Sequence, residues 1–145
     1  MAERPILIAT DGSDRSDKAV AAGLALAKAL GTCVIGCVAI PPYPYSVLAG
    51  TEADAEAQYL SHSSAQAAGH LARVEEAARA QGVPYAGVIQ ENAQPHVAIL
   101  QVAQTHDAQI IVMASHGRAG VAGMLLGSET SKVLTLADRP VLVLR

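Results

Sequence analysis

The sequence of 145 residues contains no phenylalanine and no tryptophan, and its aromatic content is only 3%. Without large aromatic side chains, a core must be built from alanine, valine, leucine and isoleucine, and the elements around it must approach closely. Charge is also scarce, because 51% of the residues are hydrophobic and 16% are charged. Such a composition excludes a disordered or fibrous chain. The length predicts a single domain over residues 1–145.

Basic runs are missing as well, and the formal net charge is −3. Attraction to a phosphate backbone is then weak, so we expect no nucleic-acid partner. No apolar segment reaches the roughly 18 residues of a membrane-spanning helix, and the N-terminus shows no secretory signal pattern. These features predict a cytoplasmic protein without a membrane partner.

The sequence has only two cysteines, Cys33 and Cys37, in an apolar segment that is typical of a strand. Four residues along a strand span roughly 13 Å, which is too far for a disulfide between them. That segment offers no further cysteine or histidine for a metal site. We interpret both cysteines as reduced thiols that act as small hydrophobic residues.

Short apolar segments alternate along the chain with segments of helical periodicity. Strands are predicted at Pro5–Thr10, Thr32–Ile40, Tyr85–Gln90, Gln109–Met113 and Pro140–Leu144. Helices are predicted at Ser16–Leu30, about Ala53–Ala80, Pro95 to about Thr105, and Ser128 to about Ala137. This alternation indicates an α/β fold with a mainly parallel sheet and helices on both faces.

Ligands of open α/β sheets bind beyond the carboxyl ends of the strands. The first strand ends in Ala9 and Thr10, and Asp11 follows directly. The Asp11 carboxylate can orient a ribose hydroxyl, an amino group or a metal-bound water. Alternatively, Asp11 shapes the turn and helps to cap the next helix. Its position alone does not separate these two roles.

The segment after the fourth strand, residues 114–130, is rich in glycine. Glycines allow backbone N–H groups to approach an anion. Gly127 and Ser128 then open a helix, whose positive end favours phosphate, and the hydroxyls of Ser128 and Thr130 are further candidate donors. No Walker motif is present, and no G-x-G-x-x-G follows the first strand. The segment favours phosphate binding over a simple chain turn.

Several side chains near this segment allow two interpretations. His116 either donates to a phosphate or holds the loop by bonding to the backbone. Arg118 either reaches a terminal phosphate or lies on the surface, and Met113 either touches a nucleoside or only packs in the core. The other histidines show no ligand spacing and are predicted on solvated faces; they are His62, His70, His96 and His106.

The spacing of Gly117, nine further residues and Gly127-Ser128 resembles the nucleotide-binding signature G-x2-G-x9-G-S/T of the universal stress protein family. The opening IATDGS and the closing RPVLVLR resemble the first and last strands of that family. The resemblance covers essentially the whole chain in the order and length of its elements.

This resemblance implies an open, Rossmann-like, five-stranded parallel sheet of order 3-2-1-4-5, with Asp11 and Gly117 facing one crevice. It implies ATP as the ligand, accompanied by Mg²⁺ or Mn²⁺. Adenine would contact the backbone near Val38, and Asp11 would lie beside the nucleoside. Ribose and phosphates would contact the glycine-rich segment and the following helix, at Ala114, Gly117, Gly127 and Ser128, with backbone help from Glu129.

The resemblance also implies a homodimer through the last strand, Val141–Leu144. The residues point the same way, because a short apolar edge strand invites pairing with a second copy.

One position departs from the family signature, since Ala114 stands where the family has its first glycine. If this position needs a positive φ, alanine is strained by roughly 1 kcal/mol or more. If its geometry is that of an ordinary strand, alanine only adds one methyl group to the site and causes no backbone strain.

Three functions remain open at this point, and the favoured one is an ATP-binding stress or regulatory protein. The second is a nucleotide-dependent enzyme or slow ATPase, for which no base is clearly positioned to activate water and little chain is left for a substrate domain. The third is a dimeric interaction module that has lost nucleotide binding, which Ala114 keeps open.

Overall fold

Strands and helices alternate strictly in the computed structural model, which describes residues 3–44, 53–117, 123 and 125–145. The strands are β1 (Ile6–Ala9), β2 (Val34–Ile40), β3 (Tyr85–Glu91), β4 (Ile110–Ala114) and β5 (Val141–Leu144). The helices are α1 (Asp14–Leu30), α2 (Ala53–Gln81), α3 (Pro95–Thr105) and α4 (Ser128–Leu136). The predicted alternation of elements is therefore confirmed.

The strands form one parallel sheet in the order β3-β2-β1-β4-β5, as expected. β1 is the central strand, with Ile8 paired to Gly36 of β2 on one side and to Val112 of β4 on the other. All four residues of β1 are buried, which explains its uninterrupted apolar sequence.

Each face of the sheet carries its own apolar cluster. Ile6 and Ile8 contribute to the cluster under α1 and α2, whereas Leu7 and Ala9 contribute to the cluster under α3. This is the alternation of period two that a strand requires. The helices approach the sheet through small residues, because Ala19, Ala27, Ala78, Ala98 and Ala103 are completely buried. The expectation of close packing without aromatic residues is thus confirmed.

The helix ends follow from local chemistry. Ser13 is the N-cap of α1, and its side chain accepts a hydrogen bond from the Ser16 amide at 3.2 Å. α1 therefore begins at Asp14, earlier than predicted, and it ends at Leu30, followed by the C-cap Gly31 with a φ of +67°. Leu30, the last residue of this helix, is 53% exposed although it is apolar. Pro95 opens α3, as predicted.

Within the part of the chain that the structure describes, the length and apolar character needed to cross a membrane are not combined in any helix.

Candidate functional site

A cavity of about 580 Å³ opens at the carboxyl ends of β1, β2 and β4 and is closed by the starts of α3 and α4. Most of the site residues predicted from the sequence line it: Ala9, Thr10, Asp11, Met113, Ala114, His116, Gly117, Gly127, Ser128, Glu129 and Thr130. The lining is completed by residues that no sequence motif indicated as site residues: Ser16, Cys37, Ala39, Pro95 and Ile99. The volume is that of an ordinary small-molecule site.

Two of the predicted site residues are not found in this lining. The Val38 side chain packs on the opposite side of β2 with Ile40, Ala67 and Leu71. Its neighbours Cys37 and Ala39 line the cavity instead, since alternate residues of a strand face opposite sides. The expected contact of adenine with the backbone at Val38 stays a prediction. Arg118 lies outside the described residues.

Asp11 combines features of both roles considered for it. Its Oδ1 accepts a hydrogen bond from the Ser13 amide at 3.0 Å, so the carboxylate shapes the turn before α1. Its Oδ2 lies against Gly117, where an added Cβ would be only 2.8 Å away. A glycine at position 117 therefore lets the two loops approach across the cavity.

The loop that carries Asp11 is held from α2. Gly12 has a φ of +77°, and the His70 imidazole occupies the space that a Cβ at this position would need. Arg73 donates to the Gly12 carbonyl at 3.4 Å and pairs with Asp17 at 2.8 Å. The prediction that His70 lies on a solvated face is wrong, because its ring is half-buried against this loop.

The chain between β4 and α4 is tied to the end of β4. The Gly127 amide donates to the Ser115 carbonyl at 2.6 Å. The Thr130 hydroxyl, which is buried, donates to the Ala114 carbonyl at 2.9 Å. Thr130 was predicted as a possible donor to phosphate, but its single hydroxyl hydrogen is engaged in this bond. Thr130 therefore supports the site, and the exposed Ser128 remains the candidate hydroxyl donor.

The first turn of α4 faces the cavity with free hydrogen-bonding capacity. The first N–H groups of any helix lack partners within the helix. Gly127 occupies the N-cap position and, among the described residues, no side chain caps this end of α4. The positive end of the helix dipole adds to the attraction for an anion.

His116 has one satisfied and one unsatisfied ring nitrogen. Nδ1 lies 3.1 Å from the Ser115 hydroxyl, so the ring is held by a side chain rather than by the backbone contact considered earlier. Nε2 is buried without a hydrogen-bond partner among the described residues. A buried unsatisfied nitrogen costs about 1–3 kcal/mol, which a polar ligand group at this wall of the cavity would recover.

His96 and Glu129 form a pair that the sequence did not reveal. Glu129 Oε2 accepts from the His96 amide and contacts His96 Nδ1, both at 2.8 Å. Burial raises the pKa of Glu129, but hydrogen bonds from His96 and Lys132 outweigh it, and the pKa lies below its ordinary value. The prediction of a solvated His96 is wrong, because the residue is 5% exposed. Only the fold brings these residues of α3 and α4 together.

The backbone at Ala114 settles the question raised by its departure from the signature. Asp107 is the only described non-glycine residue with a positive φ, so Ala114 has ordinary strand geometry at the end of β4. Alanine at this position therefore adds one methyl group to the cavity wall and causes no backbone strain.

Cys37 lines the cavity as a neutral thiol. Burial raises its pKa to about 12, so the thiolate is not formed near neutral pH. The interpretation of Cys37 as a small hydrophobic residue is confirmed by its 1% exposure. Among the described residues, no group of three or more histidine, cysteine, aspartate or glutamate side chains is arranged to hold a metal ion.

The fold and this cavity define a class of small α/β proteins with a ligand site at the carboxyl edge of a parallel sheet. The sequence model of the universal stress protein family matches residues 3–145. A universal stress protein of Thermus aquaticus is 34% identical over 149 residues, which cover 98% of each chain. The chain belongs to the universal stress protein family.

Solved structures agree with this assignment at the level of the fold. UspA from Lactobacillus plantarum superposes with a TM-score of 0.87 at 20% identity and covers 100% of this chain and 99% of its own. The universal stress protein from Archaeoglobus fulgidus in complex with dAMP superposes with a TM-score of 0.68 at 20% identity, and each chain is covered completely, at 100%.

Proposed function

We propose that this protein binds an adenine nucleotide, with ATP as the expected ligand, and acts as a nucleotide-binding stress or regulatory protein. The observation that carries the proposal is the start of α4, which no side chain of the described residues caps and which opens on a cavity with a largely apolar lining. The apolar lining suits a base, and the N–H groups of the helix start suit phosphate.

The two ends of the ligand are distinguished by the chemistry of the walls. Ala39, Ile99 and Met113 provide apolar surface for a flat base. Asp11 lies between that surface and the glycine-rich segment, where a carboxylate can accept hydrogen bonds from ribose hydroxyls. The Archaeoglobus relative with dAMP bound has the same fold, which supports an adenine nucleotide as the ligand class.

A divalent ion fits this proposal only when it arrives with the ligand. Mg²⁺ is commonly held by substrate phosphates with one or two carboxylates rather than by a cage of protein ligands. Asp11 is the carboxylate placed to contribute, since Glu129 is engaged with His96.

The proposal is tested by calorimetric titration of nucleotide-free protein with Mg-ATP. Gly127→Ala combined with Ser128→Ala removes the hydroxyl and puts a Cβ 3.3 Å from the Ser115 carbonyl oxygen, so we expect binding to weaken by about tenfold or more. Gly69→Ala is the matched control, because a Cβ at this exposed position of α2 meets nothing within 4 Å.

A second readout uses thermal unfolding. Ligand at 100 times its Kd stabilises the folded state by about 2.7 kcal/mol, so saturating Mg-ATP should raise the Tm of wild type and of Gly69→Ala. No heat of binding and no Tm shift in the wild type would overturn the proposal and favour an interaction module without nucleotide.

We also propose that the protein forms a homodimer through β5. This strand lies at the edge of the sheet and pairs only with β4 among the described strands. Leu142 on β5 is 39% exposed and Leu136, at the end of α4, is 60% exposed, so apolar surface accompanies the unpaired edge. The cytoplasmic location stays a prediction.

A further inference from the structure

Glu129 places a negative charge in the first turn of α4, next to the N–H groups that the proposed function assigns to phosphate. Its side chain is 34% exposed and lines the cavity. Apart from Glu129, Asp11 is the only charged residue among the described residues of the lining. Two carboxylates at one cavity repel an anionic ligand unless one of them is drawn away or neutralised.

The structure draws the Glu129 carboxylate onto α3. Its Oε2 accepts two hydrogen bonds from one residue, His96, through the backbone amide and through the ring. The other oxygen, Oε1, lies 3.3 Å from Lys132 Nζ on the solvent side. The carboxylate thus takes the place of a missing side-chain cap on α3, because Gln94 at the N-cap makes no such bond within the described part of the chain.

His96 is suited to hold this arrangement because it is itself fixed. Its side chain is 7% exposed and lies in the first turn of α3, directly after Pro95. The pair links the starts of α3 and α4, the two helices that close the cavity. A part-buried contact of this kind helps to set where the N-terminus of α4 lies and which way Glu129 points.

We propose that His96 is a positioning residue for the phosphate end of the ligand site. It keeps the Glu129 carboxylate on α3 and leaves the N–H groups of α4 available to the anionic part of the nucleotide. This inference rests on the proposed function and adds a specificity to it: His96 governs affinity for the phosphate and not for the nucleoside.

The experiment compares AMP with adenosine, which differ only in the phosphate. Calorimetric Kd values are measured for wild type, His96→Leu and His96→Asn. In His96→Leu we expect AMP to bind about three- to tenfold more weakly while adenosine binds as before, since a charge near a helix N-terminus is worth roughly that factor. Asn offers an amide N–H close to the position of Nδ1, so His96→Asn should recover most of the AMP affinity.

Two further variants separate positioning from general damage. His106→Leu is the matched control, because His106 is an exposed histidine at the other end of the same helix and should leave both Kd values unchanged. In Glu129→Gln the side chain carries no charge that could repel the phosphate. Adding His96→Leu to this variant should therefore cause no further selective decrease in AMP affinity. This is a double-mutant cycle in which the coupling is read from AMP binding.

The outcomes distinguish this inference from the proposed function. If wild type binds AMP and adenosine but His96→Leu changes both by the same factor or changes neither, the positioning role is wrong and the nucleotide site stands. If wild type binds neither ligand nor ATP, both proposals are wrong. The positioning role is supported if His96→Leu weakens the binding of AMP but not of adenosine, and if His96→Asn recovers the AMP affinity. In the Glu129→Gln background, His96→Leu should then have no selective effect on AMP.

Discussion

Gly12 is the residue at which backbone and packing requirements coincide. Its positive φ of +77° disfavours any L side chain, and the His70 ring fills the space beside it. Gly31 has a similar φ of +67°, but a Cβ there would meet nothing within 4 Å. The two positions therefore separate the cost of backbone strain from the cost of displacing α2.

We expect Gly31→Ala to lower the free energy of unfolding by about 1 kcal/mol and Gly12→Ala to lower it by roughly 2–4 kcal/mol, because only the second also overpacks a contact. Urea denaturation of both variants measures the difference. Gly12→Ala should also weaken nucleotide binding, since it moves the loop that carries Asp11. An equal decrease in the free energy of unfolding of the two variants would show that the His70 ring moves aside without an energetic cost.

Residue-level chemistry also marks the limit of what the sequence revealed. The signature around Gly117 and Gly127 was identifiable because its spacing is local, and Asp11 was identifiable because it directly follows the first strand. The pairing of His96 with Glu129 was not identifiable, because these residues are 33 positions apart and no sequence motif links them. The engagement of the Thr130 hydroxyl with Ala114 was hidden for a similar reason, since a hydroxyl in a sequence does not show what it bonds to.

At the scale of elements, the strands were the easiest to predict. Uninterrupted apolar segments such as β1 and β4 are buried on both faces, and that pattern indicates a central parallel strand. Element ends were less certain, as α1 shows, because the Ser13 cap moved its start to Asp14. The order of the strands came from the family resemblance, since alternation of strands and helices fits several orders.

The edge strand β5 gives a test of the proposed homodimer. Leu142→Lys places a charge on the exposed edge, and we expect sedimentation velocity to show a monomer. Ile89→Lys is the matched control, because Ile89 lies on β3 at the opposite edge and has a similar exposure of 37%. It should remain dimeric.

Thermal unfolding of both lysine variants shows whether the strands still form. A wild type that sediments as a monomer, or an Ile89→Lys variant that dissociates while Leu142→Lys does not, would rule out dimerisation through β5.

At the scale of the whole molecule, stability should depend on pH at both extremes. Burial raises the pKa of Cys37 from its ordinary value of 9.0 to about 12. The folded state then holds its proton more tightly than the unfolded chain does. This stabilising contribution is complete below pH 9 and is lost as the pH rises toward 12. The pKa of Tyr85 is also raised to about 12, chiefly by burial, and adds to the loss in the same range.

Denaturation followed from pH 8 to 11 tests this expectation. The free energy of unfolding of wild type should fall with rising pH, and Cys37→Ala should fall less steeply. Cys33→Ala is the control, because that thiol is only partly buried. Identical slopes for wild type and Cys37→Ala would contradict the assigned cause.

At acid pH, the free energy of unfolding changes with pH in the opposite direction. The pKa of Glu129 is lowered in the folded state, where hydrogen bonds from His96 and Lys132 outweigh the effect of burial. This contribution is therefore present above the ordinary carboxyl pKa and is lost as the pH falls below it.

The central position of β1 has a consequence for the order of folding. Ile8 pairs with Val112, so residues 104 positions apart along the chain must meet before the sheet is continuous. The walls of the cavity come from the ends of β1, β2 and β4 and from the starts of α3 and α4. These parts are spread along the chain from Ala9 to Thr130. Closure of so long a loop is slow, and the cavity arises only when it is complete. A ligand of this cavity thus recognises the finished chain and cannot guide the early steps of its formation.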